Sequence, residues 1–223
     1  FFFKQMTAYE ISLGLVGSEM CIRDRKEKVI VDVLNQKTPP EWVIVGLGNP
    51  GQGHVEDRHN VGFWSLDFLA RRYGTTFSEK RQHVLIGEAD ICGHPVVLAK
   101  PRTYMNLSGY ALEYLRQRFN LGGQRTLVVV DDMDLPTGKL RLRAEGGSGG
   151  HHGLDSIINE LGSEVFARLR IGIGRPGADT IRHVLGPFSS TERKTINDAL
   201  ESSIDVVKEC VLNGIEYAMN SYN

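Results

Sequence analysis

Four short segments gather the side chains able to do chemistry. Arg58-His59-Asn60 sets an imidazole just ahead of an apolar-periodic run, and a histidine of ordinary pKa can take or give a proton near neutral pH. Asp131-Asp132-Met133-Asp134-Leu135-Pro136 puts carboxylates at the end of a fully apolar stretch. Lys100 to Gly109, KPRTYMNLSG, offers a neutral amide that both donates and accepts, and Gly146 to Leu154, GGSGGHHGL, offers a flexible run ending in His151-His152. A lone histidine at a helix start is more often a cap or a surface residue than a base. Its weight changes here because every one of these segments sits at the edge of a predicted element, where the ligand crevices of α/β sheets form. Other chemistries are not signalled: there is no cysteine beside a motif histidine, no H-E-x-x-H and no cysteine pair. His151-His152, adjacent in sequence, is poor ligand geometry by itself. No metal and no cofactor are expected.

One motif invites a different reading. Gly46-Leu47-Gly48-Asn49-Pro50-Gly51 fits the G-x-G-x-x-G of a dinucleotide site after a strand. Pro50, Gly51 and Gly53 leave no prompt helix N-terminus to receive a pyrophosphate. The acidic residue due about twenty positions on should end a second strand, whereas Asp67 falls inside a predicted helix. A dinucleotide site is therefore disfavoured.

The elements that must hold these segments alternate. Trp42 to Val45 reads as an apolar strand ended by Gly46. Val61 to Arg72 carries Val61, Trp64 and Phe68 at helical spacing. Val84 to Ala89 and Val96 to Ala99, split by Gly93-His94-Pro95, read as a hairpin-like pair. A helix follows with Leu107, Ala111, Leu115 and Phe119 on one stripe, closed by Gly122-Gly123. Leu127 to Val130 is a β-branched run suited to the centre of a sheet, Leu140 to Arg143 a more exposed strand. Leu154 to Leu161 reads as a short helix and Leu169 to Ile173 as a strand. Ser189 with Glu192 forms a capping box opening a long helix with Ile196, Leu200, Ile204, Val207 and Val211 inward. The order predicts an α/β fold: a single domain with a mixed, twisted sheet and helices on both faces.

Composition sets outer bounds. The 223 residues hold 26 Lys plus Arg against 27 Asp plus Glu, so a nucleic-acid partner must be held by a local basic patch rather than by the field of the whole chain. Three scattered cysteines exclude a disulfide framework and suit a reducing compartment. No apolar run approaches a membrane span. The first forty residues differ from the rest. Tyr9 to Arg25, YEISLGLVGSEMCIRDR, resembles a translated sequencing-adapter read-through, and residues 1–26 are expected to be a disordered artefact. Residues 27–40, ending in Thr38-Pro39-Pro40, read as a linker or flank, and the domain is expected over 41–223, where all seven histidines lie.

GLGNPG, RHNVG, TYMNLSGYA, DDMDLP, GGSGGHHGL and RLRIGIGRP resemble, in order and spacing, the bacterial-type peptidyl-tRNA hydrolase family, from about Trp42 to the C-terminus. The resemblance implies hydrolysis of the ester between a peptide and the 3′ ribose of tRNA, recycling tRNA from stalled or aborted translation. For such an ester a base-activated water is the simplest route. His59 matches the family's catalytic histidine and Asp131 the carboxylate that orients it. Asn49 and Asn106 match the asparagines placed around the substrate carbonyl and peptide backbone. Met105 would line the cleft wall or simply pack in the core, and Gly146 to Gly150 would form a mobile flap leading to His151. His54 stands where family members often have Tyr, and His152 where many have Asn; both are expected at the substrate. The resemblance places a clamp for the tRNA 5′ phosphate at Arg143 and Arg170, and the planar fork of arginine suits that contact. It also implies peptidyl-tRNA as partner through its acceptor stem and peptide C-terminus, a cytoplasmic location, and a monomer. The competing reading is a non-catalytic RNA-binding scaffold of the same fold, which need not keep His59, Asp131, Asn49 and Asn106 together.

Overall fold

The computed structural model describes residues 39–223 apart from 121, 176 and 178. The expected artefact over 1–26 and nearly all of the 27–40 flank lie outside the described residues. Seven strands form one sheet: β1 (Trp42–Gly46), β2 (Glu79–Lys80), β3 (Val84–Ile91), β4 (His94–Pro101), β5 (Thr126–Asp132), β6 (Leu140–Arg143) and β7 (Ala167–Gly172). Their order is β2-β3-β4-β1-β5-β7-β6. The central neighbours β4-β1-β5-β7 run parallel, while β2, β3 and β6 are antiparallel to their partners, so the sheet is mixed as expected.

Alternate residues of each central strand feed two separate cores, as the two-residue period of a strand requires. Trp42, Ile44, Leu127, Val129, Leu169 and Ile171 face one side, under α1 (Val61–Arg72), α5 (Ser190–Asn213) and α6 (Ile215–Tyr222). Val43, Val45, Val97, Val128 and Val130 face the other, under α2 (Gly109–Phe119) and α3 (His152–Leu161). Strands buried on both faces explain the unbroken apolar run at Leu127–Val130. The remaining helix, α4 (Thr180–Val184), is a short turn that the hydrophobic pattern does not signal.

The hairpin β3–β4 turns through Cys92 and Gly93, both at positive φ (56° and 91°), as a two-residue turn of that type requires. Ser189 and Glu192 make the reciprocal capping box of α5, whose five anticipated inward residues are all buried. Two details differ from the sequence pattern. Leu107 lies in a separate 3-10 turn (Met105–Leu107) ahead of α2 and is 41% exposed. That helix ends on Asn120 in the left-handed conformation (φ 50°), before Gly122 is reached. In α1 the buried stripe is Val61, Ser65, Leu66 and Leu69, with Trp64 and Phe68 at its margin. A serine pair, Ser65 Oγ to Ser203 Oγ at 2.9 Å, joins α1 to α5.

No helix among the described residues is long and apolar enough to cross a membrane.

Candidate active site

The glycines after β1 serve close packing. A Cβ on Gly46 would lie 2.3 Å from the Gly62 carbonyl oxygen, and one on Gly62 would lie 2.5 Å from that of Val129. Small residues here let the start of α1 press against β1 and β5, which carries the 3-10 turn Arg58–Asn60 to the C-terminal edge of the sheet. A 3-10 turn follows Gly51 and α1 begins only at Val61, so no helix N-terminus meets the loop. Asp67 sits within α1 and receives a hydrogen bond from Lys100 Nζ at 2.6 Å.

Each residue of Arg58-His59-Asn60 has its own task. Asn60 is buried; its Oδ1 accepts from Asn49 N at 2.7 Å, and its Nδ2 donates to the carbonyls of Asn49 (3.0 Å) and His54 (2.8 Å). Arg58 donates to the His183 carbonyl at 3.2 Å and to Glu192 Oε2 at 3.0 Å, tying α4 and the first turn of α5 to the 3-10 turn. Between them, His59 is 11% exposed and its Nδ1 lies 2.8 Å from Asp131 Oδ1. Neither flanking residue was assigned a role from the sequence; the signal was only that all three sit together before a helix.

Asp131, at the end of β5, is buried and receives a second donor. His151 Nε2 lies 3.0 Å from the same Oδ1, and the two imidazoles tilt together with centroids 4.8 Å apart. The tautomer of His151 is fixed by its other nitrogen: Nδ1 accepts from the backbone N–H groups of Gly153 (3.1 Å) and Leu154 (3.3 Å) at the start of α3, so Nε2 carries the proton. His151 thus joins Asp131 to a helix N-terminus. The resemblance puts His151 at the substrate; here it also bonds the carboxylate.

Burial acts to raise the Asp131 pKa, but the charges and hydrogen bonds of His59 and His151 outweigh it and hold the carboxyl well below the usual range. Burial acts to lower that of His59; the charge and hydrogen bond of Asp131, with the charge of Asp57, outweigh it and leave His59 above its ordinary value. With Nδ1–H turned to Asp131, Nε2 of His59 has no partner among the described residues. His59, Asp131 and His151 also group as candidate metal ligands. A cation would need the Nε2 lone pair of His151, which its proton occupies, so the donor set fits a metal poorly.

A cleft of about 610 Å³, open to solvent, runs over this cluster, lined among others by His59, Asp131, Met133, His151, Arg170 and Ile181 of α4. Asn49, His54, Met105 and Asn106 are not among the residues lining this cleft; Asn49 Oδ1 accepts from Met105 N at 2.8 Å, while its NH₂ group has no partner among the described residues. Asn106 is exposed and likewise unpartnered. Met105 itself is 5% exposed and belongs to the α2/α3-side core against Leu47 and Gly153, so it packs more than it lines. His54 bonds Asp57 at 2.7 Å and meets Tyr104 edge-on at 6.4 Å, at the rim. His152 is 80% exposed on the first turn of α3, 3.9 Å from Asp155. Within the lining, Arg170 Nε lies 3.0 Å from Asp132 Oδ2; exposed Arg143 is not part of it and has no partner among the described residues. Register pairs Arg141 with Arg170 and Arg143 with Arg168, which puts all four on one sheet face.

The glycine run is pinned at both ends. Buried Arg168 donates to the carbonyls of Gly146 and Gly147 (the latter at 3.0 Å), and to those of Glu164 and Phe166 at 2.9 and 3.3 Å. His151 fixes the other end. Between them lie Gly149 and Gly150, both at positive φ.

Comparison with known proteins decides what this arrangement belongs to. The family model for peptidyl-tRNA hydrolase matches residues 43–223. The chain belongs to the peptidyl-tRNA hydrolase family. It is 46% identical over 183 residues to the peptidyl-tRNA hydrolase of Caldanaerobacter subterraneus subsp. tengcongensis, covering 82% of this chain and 99% of that protein. It is 46% identical over 185 residues to that of Chloroflexus aurantiacus, covering 82% and 98%. The crystal structure of peptidyl-tRNA hydrolase from Acinetobacter baumannii superimposes with a TM-score of 0.77 at 37% identity, over 85% of this chain and 97% of that one. Family membership makes this chain a hydrolase and gives its α/β architecture solved relatives.

Proposed function

We propose that this chain hydrolyses the ester joining a peptide, or an N-blocked aminoacyl group, to the 3′ ribose of tRNA, with water activated by His59. The observation that carries the reading is the bond from His59 Nδ1–H to Asp131, which leaves Nε2 unpartnered over the cleft. Nε2 takes a proton from water as the oxygen attacks the ester carbonyl, and Asp131 stabilises the imidazolium that forms. The amides of Asn49 and Asn106 supply neutral hydrogen bonds to the developing oxyanion and to the peptide backbone, without adding charge. Collapse of the tetrahedral intermediate breaks the bond to the 3′ oxygen, and His59 Nε2–H returns its proton to that leaving group. The products are a free carboxylate and deacylated tRNA.

Arg143 and Arg170 are the groups proposed to hold the tRNA 5′ phosphate on the flank away from the asparagines. His54, with Tyr104, and His152 would meet the substrate at the cleft rim. The setting proposed is recycling of tRNA from stalled or aborted translation, by a cytoplasmic monomer.

The test is release of a labelled N-blocked aminoacyl group from tRNA by the wild-type chain and by His59→Ala. Release by wild type, reduced about a thousandfold or more in the variant, supports the reading. A wild-type chain that binds tRNA and releases nothing would instead identify an RNA-binding scaffold.

A further inference from the structure

The last two residues of β5 are carboxylates that the strand period sends to opposite faces of the sheet. Asp131 turns to His59. Asp132 turns to the arginine face, is only 5% exposed, and lies 3.0 Å from Arg170 Nε through Oδ2, while its Oδ1 accepts from Asp134 N at 2.8 Å. The Arg170 contact has a particular character. Despite the short distance, Nε makes no aligned hydrogen bond to any group among the described residues, Asp132 included. Asp132 therefore gives Arg170 a nearby negative charge without the aligned bond that would fix the direction of its fork. The rest of the guanidinium reaches toward the cleft, where a Cβ on Gly149 would lie 3.0 Å from one terminal nitrogen.

A phosphate received on that fork would sit near a buried carboxylate, where charges act more strongly than at an open surface. We infer that Asp132 is a specificity-determining residue of negative sign: its charge weakens the hold of Arg170 on a tRNA phosphate and so limits how tightly substrate and deacylated product are retained. This rests on the assignment of Arg170 to a tRNA phosphate proposed above. The chemistry explains why a nucleic-acid site would keep a carboxylate beside its arginine. Product and substrate share the same phosphate, so grip gained there stabilises both alike and slows release of the product. Asp132 leaves Arg170 enough charge for recognition while keeping the site from saturating with spent tRNA.

The experiment compares wild type, Asp132→Asn and Asp132→Glu on N-blocked aminoacyl-tRNA with and without its 5′ phosphate, and measures inhibition by deacylated tRNA. Asparagine keeps the Oδ1 acceptor for Asp134 N, so the strand end is preserved, and a melting curve for each variant confirms folding. In Asp132→Asn, KM and the inhibition constant of deacylated tRNA should both fall about three- to tenfold at low salt, with kcat unchanged or lower. The gain should vanish on tRNA lacking the 5′ phosphate, and Asp132→Glu should return KM toward wild type. A KM that rises or stays level in a folded Asp132→Asn enzyme overturns the inference, a rise meaning that Asp132 orients Arg170 after all. Failure of the underlying assignment has a different signature: Arg170→Ala would then show the wild-type KM on tRNA carrying its 5′ phosphate.

Discussion

Replacing Asp131 by Asn tests the centre of the site, because it removes one charge and little else. The amide oxygen can still accept from His59 Nδ1 and His151 Nε2, which in the native chain meet at a single carboxylate oxygen. What disappears is the attraction between that carboxylate and the imidazolium formed as His59 takes a proton. For unit charges about 4 Å apart at an effective dielectric of about 20, that attraction is about 4 kcal/mol. Each factor of ten in rate corresponds to about 1.4 kcal/mol, so kcat/KM should fall by about 10² to 10³ on a tRNA-linked ester and on a minimal ester alike. The pH profile should move as well. In the native site Asp131 and, more weakly, Asp57 hold His59 above its ordinary value against the effect of burial, so kcat/KM should climb through a pKa above 6.5 as Nε2 becomes free. Without the carboxylate charge, burial prevails and the limb should drop below 6.5. A loss smaller than tenfold, or an acidic limb that stays above 6.5, would refute the assignment of Asp131 as the group that stabilises the imidazolium.

The same pair should mark the stability profile. His59, raised in the folded state, contributes fully below 6.5 and loses its contribution as pH rises through its folded value. Asp131, lowered in the folded state, contributes above about 3.9 and loses its contribution as pH falls toward its folded value. The stability gap between wild type and Asp131→Asn in urea should therefore be widest between about pH 4 and 6.5.

Three further outcomes follow from the geometry. His151→Ala removes both the second donor to Asp131 and the acceptor for Gly153 and Leu154 at the start of α3; it should lower stability by about 1 to 2 kcal/mol in urea and move the acidic limb of kcat/KM upward, since the Asp131 charge then serves His59 alone. Arg168→Met strips the donors from four carbonyls around the glycine run and should lower stability by about 2 to 4 kcal/mol, with faster amide exchange at Gly146–Gly150; unchanged exchange there would show that the run holds itself. Arg143→Ala with Arg170→Ala should raise KM for tRNA-linked substrate and flatten its salt dependence while sparing a minimal ester, and equal loss on both substrates would sink the phosphate clamp.

Which parts of this site the sequence disclosed has a physical pattern. Elements carried by long apolar periods were legible: β5, α5 with its capping box, and the β3–β4 pair all lie where hydropathy and turn residues put them. β6 was legible too, at four residues, but β2 and α4 were not. α4 is five residues with no buried side chain, and its place over the cleft depends on Arg58 gripping a carbonyl 125 positions away. The stripe assigned to α2 ran one turn too far back because Leu107 keeps the apolar spacing but sits in a 3-10 turn, whose side chains advance differently from those of an α-helix. Within the site, His59 and Asp131 were visible as motif residues, and their 2.8 Å bond agrees with the roles the resemblance implied. His151 has a contact that spacing cannot reveal: it lines the cleft, and its ring is turned toward Asp131 by two backbone N–H groups of the helix it caps. Asn60 was passed over because a buried amide that holds loops together looks, in a sequence, the same as one that waits for a ligand.

The chain's near-neutral charge takes on a definite meaning in this architecture. A protein with 26 basic and 27 acidic residues exerts no long-range pull on a polyanion, so attraction must be arranged by position. The two-residue period of β6 and β7 sends Arg141, Arg143, Arg168 and Arg170 to one face, where the phosphate contact is proposed, while Leu142, Leu169 and Ile171 fill the core on the other. The four are not equivalent. Arg168 is spent inside the protein on the carbonyls that anchor the glycine run, Arg170 is half-screened by Asp132, and Arg143 stands unpartnered at the surface. Charge available to a phosphate thus rises from the interior toward the sheet edge, away from His59 and the neutral asparagines. In the proposed mechanism His59 must lose its proton to act, and this gradient serves it better than a uniformly basic cleft would, since cations packed around His59 would favour its deprotonated form only by weakening the imidazolium that the proposed reaction passes through.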